Sequence, residues 1–109
     1  MPDAQARAVA DNTIRAFSRE IAASNVPNLE ALSCPNPTPH GMLATTINDV
    51  KRHAPFLYNK QLATTSSFRR AGPVWFLNAF YSDGGGFVFE LHIIDGELRV
   101  CQIGGAPVP

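Results

Sequence analysis

Asp95-Gly96 separates two alternating apolar segments, FVFELHII before it and ELRVCQI after it. Asp-Gly suits a two-residue hairpin loop, because both central residues of the favoured turn take positive φ. So short a loop leaves no freedom in the pairing. Ile94 then faces Glu97, Ile93 faces Leu98, Leu91 faces Val100 and Phe89 faces Gln102. The last three pairs share one face, nearly all of it apolar. The other face carries Glu90 opposite Cys101 and His92 opposite Arg99. Upstream, VWFLNAFYS is dense in aromatic residues and reads as a mostly buried strand, joined to the hairpin by SDGGG. Residues 61–70 (QLATTSSFRR) read as a polar strand that ends at the turn Ala71-Gly72-Pro73.

The first half of the chain has a different period. Over residues 3–24, Ala10, Ile14, Phe17 and Ile21 fall on one stripe, and Arg7, Asp11, Arg15 and Arg19 on another face. Asp3 is the expected N-cap and Ser24-Asn25 the end of this helix. Pro27 opens a short second helix, PNLEALS, since its missing N–H is not needed in a first turn. CPNPTPHG is a loop. A third helix is expected from about His40 to His53, with Leu43, Ile47, Val50 and Ala54 on one face and Pro55 blocking continuation. Helices followed by sequential strands imply an α+β fold: an antiparallel meander of about four strands with the helices against one face. The expected boundaries are one domain over residues 1–104 and a flexible tail over 105–109.

The charge balance narrows the partners. Nine basic and nine acidic residues give no net charge, and Lys51-Arg52 and Arg69-Arg70 are isolated pairs that read as solvated surface charge. A nucleic-acid partner is therefore not expected. No apolar run is long enough to span a bilayer. Residues 1–20 carry three arginines and no apolar stretch of the kind a signal peptide needs. The helix-like opening MPDAQARAVADN leaves open a leader or anchor upstream.

The two cysteines, Cys34 and Cys101, lie 67 residues apart with no CxxC or HxxxH spacing, so no metal site is expected. Three readings remain on the residues alone: a disulfide, two buried thiols, or one reactive thiol. A bridge would remove about 4 kcal/mol of unfolded-state entropy in the chain-entropy model. It meets a difficulty, because strict alternation puts Cys101 on the sheet face away from the helices. A bulge near Cys101, a curled sheet edge, or a loop wrapping that edge would each resolve it.

A long first helix, a short second helix ending in Leu32-Ser33-Cys34, and a last strand reading Asp95-Gly96-Glu97-Leu98-Arg99-Val100-Cys101 resemble a group of actinobacterial, often mycobacterial, extracytoplasmic domains. These are similar to the NTF2-like, or cystatin-like, superfamily and are secreted or membrane-anchored. Such domains often have Trp where this chain has Leu98, and the third helix and Pro-rich loop are local departures. The resemblance implies a cone-shaped curved sheet, a Cys34–Cys101 disulfide that staples a helix end to the last strand, and an extracytoplasmic location. It also implies a small apolar ligand or a protein partner, with a homodimer through the sheet as one form.

Function is less legible. An isomerase- or cyclase-like site needs a carboxylate base and an oxyanion donor inside an apolar pocket. Glu90, His92 and Arg99 are the one compact acid–base–cation group that the register predicts, with Asp83 as a further carboxylate. Their plain reading is a solvated sheet face. Both parities of VWFLNAFYS are apolar, so either both faces are buried or one lines a pocket or interface. Trp75, Leu77, Tyr81 and Tyr58 are the candidates for that lining. Gly84-Gly85-Gly86 lacks the helix and the Lys-Ser/Thr of a phosphate loop. No cofactor is implied. The expected function is a non-catalytic extracytoplasmic binding or assembly domain; the alternative is a small enzyme of the ketosteroid-isomerase or polyketide-cyclase type.

Overall fold

The computed structural model describes residues 2–53 and 61–105. Helices α1 (Asp3–Ala22), α2 (Val26–Ala31) and α3 (Met42–Lys51) precede strands β1 (Leu62–Ala71), β2 (Val74–Tyr81), β3 (Gly86–Ile94) and β4 (Glu97–Gly104). The strands form one antiparallel sheet in chain order. The fold is α+β, as the change of period predicts.

The apolar stripe of α1 is the centre of the core. Ala6, Ala10, Ile14, Phe17 and Ile21 are all buried against Trp75, Leu77, Phe89, Leu91, Leu98 and Val100. The Phe17 ring meets Phe89 edge-on at 5.8 Å, the geometry that ring quadrupoles favour. Leu29 of α2 and Leu43, Ile47 and Val50 of α3 complete the same cluster. The helix ends differ from expectation in detail. Pro2 occupies the α1 N-cap, and Asp3 sits in the first turn, where its charge favours the helix dipole. Asn25, expected as a stop, accepts a hydrogen bond from the Asn28 N–H and so caps α2. Ala54 and Pro55 lie outside the described residues.

Asp95 and Gly96 both take positive φ, 52° and 82°, so the hairpin turn is the two-residue type that the sequence implies. Pairing follows the expected register from Ile94↔Glu97 to Leu91↔Val100. There it shifts: Glu90 pairs with Gln102, not Cys101, and Phe89 pairs with Ile103, not Gln102. Cys101 is the extra residue of a bulge. The insertion changes parity, so Leu98, Val100 and then Ile103 are the buried side chains of β4. Ile93, placed by alternation on the inner face, is 39% exposed because it lies at the turn end of the hairpin.

The bulge has a partner outside the sheet. Val100 donates its N–H to the Leu32 carbonyl and accepts from the Cys34 N–H, both at 2.8 Å. Residues 32–34 thus lie against the outer edge of β4 as a single parallel bridge, Ser33↔Val100. Of the three ways to bring Cys101 near the second helix, the structure uses two together, a bulge and a segment laid along the sheet edge.

Polar contacts anchor α1 to β1. Thr65 Oγ1 donates to Asp11 Oδ1 at 2.6 Å, and Arg15 Nε donates to Asp11 Oδ2 at 2.8 Å. Partial burial raises the Asp11 pKa, but the hydrogen bonds from Arg15 and Thr65, with the charges of Arg15 and Arg7, outweigh it and hold the carboxyl below its usual value. At the other end, Ser18 and the Tyr81 hydroxyl are 3.0 Å apart. Burial raises the Tyr81 pKa, and the Ser18 hydrogen bond opposes that rise.

Two outcomes test this packing. Phe17→Ala should lower the unfolding free energy by roughly 3–5 kcal/mol in urea denaturation; a loss below about 1 kcal/mol would mean that the stripe is not packed. A depressed native pKa makes the Asp11 contribution complete above the unfolded value of about 3.9, and it is lost as pH falls through the lower native value. Asp11→Asn should therefore flatten the acid side of the stability profile below about pH 4.

Candidate functional site

The three helices cover one face of the sheet, so the opposite face is the surface on which β1 to β4 present side chains together. Its residues follow from the register. One row across the strands reads Arg69, Phe76, Glu90, Gln102; the next reads Ala71, Val74, His92, Arg99; a third reads Ser66, Asn78, Val88, Gly104. Val74, Phe76, Phe80 and Val88 are half-buried, and Asn78 is fully buried among them. Gly104 permits this packing, since a Cβ there would lie 2.9 Å from the Val88 side chain.

The structure brings Glu90 and His92 into contact. His92 Nε2 lies 3.0 Å from Glu90 Oε2, with side-chain exposures of 36% and 29%. Arg99 pairs with His92 in the ladder, but its guanidinium reaches Glu97, at 3.7 Å. Arg99 Nε is buried and has no hydrogen-bond partner among the described residues. Asp83 is remote from this group, in the turn between β2 and β3, where it accepts from the Gly85 N–H at 3.0 Å. Among the described residues, no three His, Cys, Asp or Glu side chains come together as a metal site would require.

The aromatic strand divides cleanly. Trp75, Leu77, Ala79 and Tyr81 are buried under the helices, and Tyr81 also meets Phe87 edge-on at 5.9 Å. Trp75, Leu77 and Tyr81 are therefore core residues; Tyr58 lies outside the described residues. The alternate residues Val74, Phe76 and Phe80 belong to the outer face. Arg69 and Arg70, adjacent in sequence, leave β1 on opposite faces. Arg69 stacks over Phe76 at 5.3 Å on the outer face, while Arg70 stacks over Trp75 at 5.0 Å on the helix side. Neither is merely solvated. Arg69 is held further by the Ser67 carbonyl at 2.7 Å. Sequence reasoning missed Arg69 as a member of the outer-face group, because a bulge between Ser66 and Arg69 changes the parity of β1.

The second feature of chemical interest is the cysteine junction. Cys34 and Cys101 form a disulfide, their Cα atoms 4.8 Å apart, within the usual range for such a bridge. Gln102 Nε2 approaches Thr38 Oγ1 at 3.4 Å beside it. Cys34 also lines a surface cleft of about 240 Å³ between the Pro-rich loop and α3, with Pro35, Pro37, Ile47 and Lys51. Lys51 and Glu30 form a 3.9 Å ion pair at this cleft.

No family model and no curated protein matches the chain. Among the described residues no helix is long and apolar enough to cross a membrane.

A free-thiol titration on the unreduced, unfolded protein should find no thiol. The double substitution Cys34→Ser with Cys101→Ser should lower stability by about 4 kcal/mol, the chain-entropy value for so long a loop; denaturant unfolding of the two proteins checks it.

Proposed function

We propose that the chain is a non-catalytic, extracytoplasmic assembly domain of the NTF2-like, cystatin-like type, carried by a secreted or membrane-anchored protein, and that it pairs with a second copy through the outer face of its sheet. The observation that carries the non-catalytic reading is the filled helix side. Phe17, Trp75, Leu77, Phe89 and Leu91 are each at most 3% exposed. Among the described residues, no carboxylate is buried with them. The disulfide is compatible with an oxidising compartment.

The competing reading is an isomerase or cyclase with Glu90 or Asp83 as base. It requires a carboxylate dehydrated by an apolar pocket. Glu90 instead lies on the outer face against His92, and Asp83 holds a turn amide. Both placements favour the binding reading.

Charge complementarity selects a second copy as the occupant. With a two-fold axis along the strands, β3 of one copy lies over β2 of the other. Glu90 then meets the Phe76 ring that carries the Arg69 guanidinium. The half-buried Val74, Phe76 and Val88 supply the apolar centre of the patch. Sedimentation velocity over a concentration series should show a monomer–dimer equilibrium. Glu90→Arg should weaken it by roughly 10-fold or more, and adding Arg69→Glu should restore much of the loss. Turnover of a steroid- or polyketide-like substrate that Glu90→Gln abolishes, with fold and stability unchanged, would replace this reading with the enzyme.

A further inference from the structure

We propose that the Cys34–Cys101 bridge is a site of thiol–disulfide exchange with a small dithiol, and that its reduction releases residues 32–34 from the edge of β4 while the core stays folded. The inference is independent of pairing through the sheet face. It rests on how the bridge is reached and on the short backbone pairing that joins the segment to the sheet.

Access comes from the cleft beside α3. Cys34 lines it, beside the Lys51–Glu30 ion pair. Both cysteines are partly exposed and neither belongs to the buried core. The segment itself is bonded to the sheet by the two hydrogen bonds of Val100, while Leu32 packs against the core and the buried Ser33 hydroxyl donates to the Leu29 carbonyl within the helical half. It cannot extend its pairing, because Pro35 and Pro37 have no N–H to donate. The core of α1 against β2, β3 and β4 does not pass through the bridge. Opening the bridge therefore uncovers a strand edge, the part of a sheet that pairs with other chains when it is bare.

The chemistry balances with a dithiol alone. Its thiolate attacks Cys34 Sγ, a sulfur–sulfur bond forms as the Cys34–Cys101 bond breaks, and Cys101 leaves as a thiolate that takes up a proton. The second thiol then attacks the mixed disulfide and expels Cys34 as a thiolate, which is protonated in turn. Two electrons and two protons pass from the dithiol, which closes to a cyclic disulfide.

The test uses the intact, oxidised protein with increasing dithiothreitol, thiol trapping and amide hydrogen exchange. The reduction rate is expected to rise in proportion to dithiothreitol and to exceed the rate of global unfolding. The Val100 and Cys34 amides should lose at least roughly tenfold of their protection, while those of Leu77 and Phe89 keep theirs. Ala44→Phe, which narrows the cleft, should slow reduction by roughly fivefold with core protection unchanged. A rate that levels off at the unfolding rate would overturn the proposal. So would Val100 protection that survives reduction, core amides that exchange together with Val100, or an Ala44→Phe protein reduced as fast as the parent.

Discussion

One extra residue in β4 governs how the two halves of the chain meet. Without it, alternation would carry Cys101 to the outer face and turn Gln102, not Ile103, toward Phe89. With it, Leu98, Val100 and Ile103 all reach the core, and Cys101 drops out of the ladder. Val100 is the pivot. Its side chain is fully buried, and its N–H and C=O are both satisfied by Leu32 and Cys34 rather than by a neighbouring strand. The disulfide then ties the segment after α2 to the last strand at the same point. An edge strand that would otherwise present unpaired amides is covered there by the chain's own backbone.

The sheet has two unlike faces, and β2 shows why. Its odd residues meet α1 and are buried; of its even residues Asn78 is buried, while Val74, Phe76 and Phe80 are half-buried in a mixed surface with Arg69, Glu90, His92 and Arg99. An apolar strand of both parities usually belongs to a sheet covered on both sides. Here the helices cover one side and long charged side chains partly cover the other. Arg69 lies on Phe76, its aliphatic stem and flat guanidinium shielding the ring.

The sequence by itself determined the elements, their order and the register near the turn. The α1 stripe was legible because 3.6-residue periodicity is a local property, and the β3–β4 hairpin because Asp95-Gly96 admits so few loop geometries. Tertiary structure decided the rest. Bulges in β1 and β4 leave no periodic mark, since their position depends on which residues of the partner strand bond across the gap. From them follow the placement of Arg69 beside Phe76, the turning of Ile103 inward, and the meeting of Glu90 with Gln102. Residue spacing likewise left the cysteines open among bridge, buried thiols and reactive thiol. A separation of 67 residues is closed to 4.8 Å by the fold alone, because approach over such a distance along the chain is a property of packed elements and not of the sequence between them.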